Sequence, residues 1–231
     1  ALDLAEKVMQ FINDEGHKMS EELALLRGPF PNWINSIYAD KKSSAFKARP
    51  NSYAYEGGKP VRNSTVTTIA PTGTISIIGD CSSGIEPVFA LAYIHKAKAA
   101  GDQYRTLTIA NQTFTEIAKR EGFHSDDLAG KVMNKGSVFG LDAVPSEWQK
   151  IFITAPEIDP VTHVKMQAAF QKYTDNGVSK TINLPNSATV EDVRTAYLMA
   201  YQTGCSGITI YRDGSKGTQV LNVSSTLKPK A

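Results

Sequence analysis

The chain has little cysteine: two residues in 231, Cys81 and Cys205, set far apart. They make no CxxC pair and no zinc spacing, and two are too few for a disulfide scaffold. A reducing, cytoplasmic setting is the default for such a chain. It has no run of about 18 apolar residues, which excludes an ordinary membrane-spanning helix. Ala1 to Gln10 lacks the basic-then-apolar order of a signal peptide. It also lacks charge of one sign: 25 Lys and Arg against 23 Asp and Glu leave +2. That balance gives no electrostatic reason for a nucleic-acid or membrane-surface partner. The four histidines, His17, His95, His124 and His163, are scattered, and no metal site is expected from them. There is no repeat, no low-complexity tract and no G-x-x-x-x-G-K-[ST] loop. What remains is a chain, 41% hydrophobic, able to bury a real core as one domain or two small ones. It begins without Met, directly in a helical pattern, and reads as processed or as a piece of something longer.

Periodicity predicts a helix from Asp3 to Leu26, with Leu4, Val8, Phe11, Ile12, Met19, Leu23 and Leu26 as its apolar stripe. Asp3 and Glu6 suggest a capping box, Gly16 a possible kink, and Gly28-Pro29 the stop. Residues 29–60 read as a long ordered loop anchored by Trp33, Tyr38 and Phe46. The β-branched run Asn63 to Ile69 predicts a strand. Turn residues follow at 70–74 and 79–84, around Ile75 to Ile78, and Pro87 to His95 is extended. Helical spacing from Leu107 to Gly122 precedes an irregular, polar stretch at His124–Trp148. A helix opens at Asp159-Pro160, a short strand covers Val178–Leu184, and Thr189 caps a further helix ending at Gly204. Gly207–Tyr211 is the last strand, and Arg212 to Ala231 reads as a polar, mobile tail. The alternation argues an α/β fold.

The most informative segment is Thr68-Ile-Ala-Pro-Thr-Gly-Thr-Ile-Ser76. Pro71 fixes one backbone angle, and Gly73 lets an oxygen approach the main chain. Thr72, Thr74 and Ser76 add hydroxyl donors, and successive N–H groups in such a turn suit a phosphate. A plain strand-to-turn connection fits the same residues. Cys81, beside Ser82, Ser83 and Glu86, could suggest a nucleophile, but a small residue in a tight turn or core is the favoured reading, and Cys205 reads as structural. Tyr211-Arg212-Asp213-Gly214 reads as a turn whose Arg and Asp contribute little as a surface pair.

Four blocks resemble one family. Thr68 to Ser76, Cys81-Ser-Ser-Gly-Ile-Glu-Pro-Val-Phe89, Ser179-Lys-Thr-Ile-Asn-Leu-Pro185 and Gly207-Ile-Thr-Ile-Tyr-Arg-Asp-Gly-Ser215 are similar to the C-terminal catalytic part of class II ribonucleotide reductases. The opening helix and Phe30-Pro-Asn-Trp33 fit the same family. The resemblance implies the C-terminal portion of a ten-stranded α/β barrel, incomplete on its own, over residues 1–221, with 222–231 a flexible tail. It implies a reaction in which adenosylcobalamin homolysis makes a thiyl radical that abstracts the ribose 3′ hydrogen. The 2′-hydroxyl then leaves as water, and a cysteine pair supplies the electrons. Pro71, Thr72, Gly73, Thr74 and Ile75 match the segment that holds substrate phosphates, with Ala70, Ser76 and Tyr211 as possible pocket-lining residues.

That chemistry needs at least three cysteines, and this chain has two. The Asn-Pro-Cys-Gly-Glu type of finger loop and a C-terminal cysteine pair are absent, so no catalytic residue is expected here. The resemblance therefore implies a larger reductase chain as partner, carrying the finger-loop and redox cysteines. It further implies a ribonucleotide substrate, with a thioredoxin- or glutaredoxin-type reductant serving the complete enzyme. Such a chain looks like the small subunit of a split enzyme, or a truncated one, and is expected to be inactive alone. A non-catalytic module binding nucleotide or cobalamin is the alternative.

Overall fold

The computed structural model describes residues 1–39, 58–79, 81–98, 104–215 and 221–222, with backbone alone at 95–98, 104–107 and 221–222. The chain divides into two compact units. One comprises residues 1–85, 160–182 and 188–211, the other 86–159, 183–187 and 212–231. Helix and strand are mixed, and the strands among the described residues close no barrel.

The first unit is built on α1 (Leu2–Arg27), which packs against α6 (Pro160–Gln171). α6 in turn packs against α7 (Val190–Gln202). The extent of α1 agrees with the sequence, but its orientation does not. Leu4, Val8, Phe11, Ile12, Met19 and Leu26 of the expected stripe are exposed. The buried face is Ala5, Met9, Asn13, His17, Ser20 and Ala24. This stripe also recurs every three or four residues, but it is small and polar, so hydrophobicity points to the other one. Its polar members are buried because they find partners: Ser20 Oγ accepts from Asn63 N at 3.0 Å, and those of Asn13 and His17 are described below. The expected capping box is absent: Ala1 is the N-cap, and Glu6 instead pairs with Lys172 at 2.7 Å. Nor does Gly16 break the helix. A Cβ there would lie 3.2 Å from Val66 Cγ2, so this glycine makes room for a neighbour.

After Gly28 the chain turns through a 3₁₀ segment, Trp33–Asn35. Trp33 Nε1 donates to Lys59 O at 3.2 Å, and Tyr38 OH donates to Ser64 O at 2.5 Å, as the anchoring roles require. Phe46 lies outside the described residues. The expected strand over 63–69 reduces to one parallel bridge, Ile69 with Val178. The reason is chemical: a side chain, not a neighbouring strand, takes the amides of Val66 and Thr67. The short helix α2 (Gly73–Ile78) follows. Later, β3 (Thr181–Leu184) and β4 (Thr209–Arg212) form a two-stranded sheet. α7 opens with a reciprocal cap, Thr189 with Asp192, as its sequence promises.

In the second unit, β1 (Ala92–Lys98) is the centre of an antiparallel sheet ordered β2–β1–β5, with β2 at Tyr104–Ala110 and β5 at Leu221–Asn222. Two expectations change here. Leu107 and Ala110 belong to a strand, and the helix α3 starts only at Gln112 (Gln112–Arg120), because Asn111 caps it through Phe114 N. Within the expected tail, Leu221 and Asn222 pair with β1, while residues 216–220 and 223–231 lie outside the described ones. The irregular stretch holds α4 (Asp126–Lys135) and α5 (Ser146–Ile151). Leu91, Phe114, Ala118, Leu128, Val132, Val138 and Val144 form the core. Phe114 and Phe152 meet edge to face at 5.1 Å, an arrangement aromatic pairs favour.

Candidate functional site

The turn at 70–76 leaves Ile69 at its bridge to Val178 and enters α2 through Thr72. Thr72 has φ 46° and ψ 23°, and it is the one non-glycine residue with positive φ among the described residues. A β-branched residue in the left-handed region costs about 1–2 kcal/mol, so the surroundings must hold it there. Ser83 supplies part of that hold: its hydroxyl donates to Pro71 O and stands 3.3 Å from Thr72 Oγ1. Gly84 supplies another part. It has φ 50°, and a Cβ there would press to 3.2 Å from Ala70 O. Gly84→Ala is therefore expected to lower stability by about 1–2 kcal/mol, read as a fall in Tm, with no loss if the contact is unimportant.

Because Thr72 Oγ1 faces Ser83, α2 has no side-chain cap. The amides of Gly73, Thr74 and Ile75 head the helix, where α geometry offers them no acceptor. Ala70, Pro71, Gly73, Thr74 and Ile75 are exposed, while Ser76 is buried and donates to Gly73 O at 2.8 Å. Gly73 has no evident internal reason to be glycine. Its φ lies outside the left-handed region, and an added Cβ would meet nothing within 4 Å among the described residues. Tyr211 lies on β4, half-buried, and no hydrogen bond among the described residues joins it to this turn. Cys81 is exposed, and its amide donates to Ser76 O at 3.1 Å. Burial pushes the Cys205 thiol up, which keeps it protonated and inert, and Thr203 offsets this in part.

Behind the turn lies a group that local sequence patterns do not reveal. The Asp175 carboxylate accepts from Val66 N at 2.7 Å, Thr67 N at 3.3 Å and Asn13 Nδ2 at 3.1 Å. His17 Nε2 stands 3.0 Å from one carboxylate oxygen and 3.1 Å from the other. Thr67 Oγ1 accepts from Asn13 Nδ2 at 3.1 Å and from Asp175 N at 2.9 Å. Burial alone would push the Asp175 carboxyl up. The His17 hydrogen bond and charge, the Val66 amide and Asn13 outweigh it and hold the pKa at about 2. The signal that could have found this site is the polar stripe Asn13, His17, Ser20 on α1, read as a buried face.

The other histidines are engaged differently. His163, fully buried on α6, has its Nδ1 2.8 Å from the buried Lys180 Nζ. His124 is exposed at the rim of an almost wholly apolar hollow formed by Phe114, Leu128, Val132 and Met133. His95 is described by its backbone alone, in β1. Among the described residues no three His, Cys, Asp or Glu side chains cluster as metal ligands would, and no helix is long and apolar enough to cross a membrane.

The family model for "Ribonucleotide reductase, barrel domain" matches residues 1–211. The chain is similar over its whole length, at 47% identity, to a "Vitamin B12-dependent ribonucleoside-diphosphate reductase" of Thermoplasma acidophilum, of which it covers 28%. It is 39% identical over 99% of its length to a protein of the same name from Mycobacterium tuberculosis, covering 30% of it. Among solved structures, the alpha subunit of the Actinobacillus ureae class Id ribonucleotide reductase matches with a TM-score of 0.70. That match takes in 92% of this chain and 34% of that subunit at 22% identity, a likeness of fold. The chain thus spans less than a third of the length of these two curated relatives.

Proposed function

We propose, because the chain belongs to the ribonucleotide reductase barrel-domain family, that it supplies the substrate-phosphate turn of a vitamin B12-dependent reductase. The observation that carries this reading is Gly73. Among the described residues an added Cβ there meets nothing within 4 Å, so the bare Cα stands open to a group that comes from outside. A phosphate seated on the turn would accept from the amides of Gly73, Thr74 and Ile75, with the Thr74 hydroxyl beside them. The substrate is a ribonucleotide, and the setting is the cytoplasm. Ala70, Ser76 and Tyr211 are assigned to the rim and support of the same pocket.

Adenosylcobalamin in the complete enzyme would supply the radical. The described residues of this chain do not fit that group. His17 and His163 are buried in internal contacts, and the hollow beside His124 is almost wholly apolar, a poor match for an amide-bearing corrin. No step through the cofactor is assigned to this chain. The radical and redox cysteines would come from a larger reductase chain, re-reduced by a thioredoxin- or glutaredoxin-type protein. The exposed apolar stripe of α1 and sheets that stay open among the described residues support such a partner.

Complementation tests the reading. A relative's reductase lacking the segment aligned with residues 1–211 is expected to regain ribonucleotide reduction when this chain is added. Unchanged turnover would overturn it. The stripe has its own test: Phe11→Glu is expected to weaken that association at least tenfold in sedimentation, with helix content unchanged. An equal affinity removes α1 from the interface.

A further inference from the structure

We propose that Asp175 is a positioning residue for the turn at 70–76, holding Thr72 in its left-handed conformation from behind. The inference deepens the phosphate reading given above and rests on it for its functional meaning.

Thr72 is strained and half-buried at the head of a turn, so its conformation has to be imposed by what precedes and underlies it. Ser83 and Gly84 act from below. From the N-terminal side, the chain enters through residues 66–69, and these do not form a strand that could fix their own course. Their course is fixed by Asp175 and the residues after it. The carboxylate takes the amides of Val66 and Thr67. Asn176 N then donates to Thr67 O at 3.1 Å, Ile69 N donates to Gly177 O at 3.3 Å, and Ser179 N donates to Ile69 O at 2.8 Å. The next residues are Ala70 and Pro71, and proline passes on a set φ with little freedom. One rotation of the entering chain about Ile69 would therefore move Thr72 and the three amides after it.

The other side of the carboxylate is held as firmly. Asn13 Nδ2 gives one bond to Asp175 and one to Thr67. In doing so it leaves Asn13 Oδ1 buried without a partner, an arrangement that is costly in a protein interior. His17 fixes the carboxylate from the next turn of α1. Two residues of α1 thus act on the turn through Asp175.

The test uses the full chain and two readouts. The first is the Thr72 Cα and Cβ chemical shifts, which report its backbone conformation. The second is affinity for inorganic pyrophosphate. In Asp175→Asn, Thr72 is expected to lose its left-handed signature, and pyrophosphate binding to weaken about tenfold. Shifts at Val66 and Thr67 alone, with Thr72 and the affinity unchanged, would reduce Asp175 to a structural role and overturn the proposal. Should Asp175→Asn not fold, Thr67→Val removes the hydroxyl shared by Asn13 and the Asp175 amide. It is expected to move the same two readouts by a smaller amount, and unmoved readouts count against the proposal. Failure of the phosphate reading looks different: Thr72 responds to Asp175→Asn, yet the wild-type chain does not bind pyrophosphate.

Discussion

Gly73→Val is expected to weaken pyrophosphate or ribonucleotide binding at least tenfold while leaving Tm close to that of the wild type. The two halves of that result have separate causes. Among the described residues a Cβ at 73 meets nothing within 4 Å, and the backbone there is helical, so folding gains nothing from glycine. Replacing glycine in a helix usually stabilises by up to about 1 kcal/mol, an effect that valine's stiff χ1 partly cancels. Outside the chain, the branched side chain occupies the space through which phosphate oxygens would reach three amides. Losing even one charge-assisted hydrogen bond corresponds to about 1.5–3 kcal/mol, or a factor of ten and more. Gly73→Ala should fall between the two proteins. Calorimetric titration of both variants checks this, and an affinity equal to the wild type's would remove the phosphate from the turn.

The second large effect is on stability. Asp175→Ala is expected to cost about 3 kcal/mol or more, because it takes the carboxylate away from His17, from one of the two Asn13 Nδ2 bonds and from the Val66 amide in a largely buried setting. Asp175→Asn should show the part that depends on ionisation. The carboxyl sits at about 2 in the folded protein, below its ordinary value of 3.8. Its stabilisation is thus present in full above about pH 4 and is lost as the pH falls towards 2. That shift corresponds to about 2 kcal/mol. In urea unfolding, the gap between wild type and Asp175→Asn is expected to narrow from pH 5 to pH 2.5. A gap constant over that range would show that the charge of Asp175 contributes nothing.

Much of the architecture was legible in the sequence, and the misreadings share a cause. The turn at 70–76 announced itself through Pro71 and Gly73, and the resemblance of four blocks pointed to the family. Thr189 with Asp192 shows how well a local cap can mark a helix start, whereas the cap at Asn111 is hidden by the helical spacing that runs through it from Leu107. What failed depended on residues distant in the chain. Asn13 and His17 look like solvent-facing positions until Asp175 is placed beside them, 162 and 158 residues away. The same carboxylate explains why the β-branched run at 63–69 is not a strand. β2 was missed because Leu107 and Ala110 match helical spacing, while pairing with β1 decides otherwise. Thr72 gave no signal at all, since a threonine in the left-handed region is chosen by its surroundings.

The distance between α1 and Asp175 also bears on how the chain acquires its structure. During synthesis, residues 13 and 17 emerge long before residue 175, and until then they lack the carboxylate that joins them to residues 66 and 67. Residues 86–159, a continuous stretch within the second unit, can collapse early through contacts close in sequence. The first unit must close a loop of about 160 residues before its central network exists, and such non-local closure is slow. In refolding, the signals of Phe114 and Leu128 should therefore become native ahead of those of Asn13 and His17. The turn that α1 helps to shape would be among the last parts of the molecule to appear.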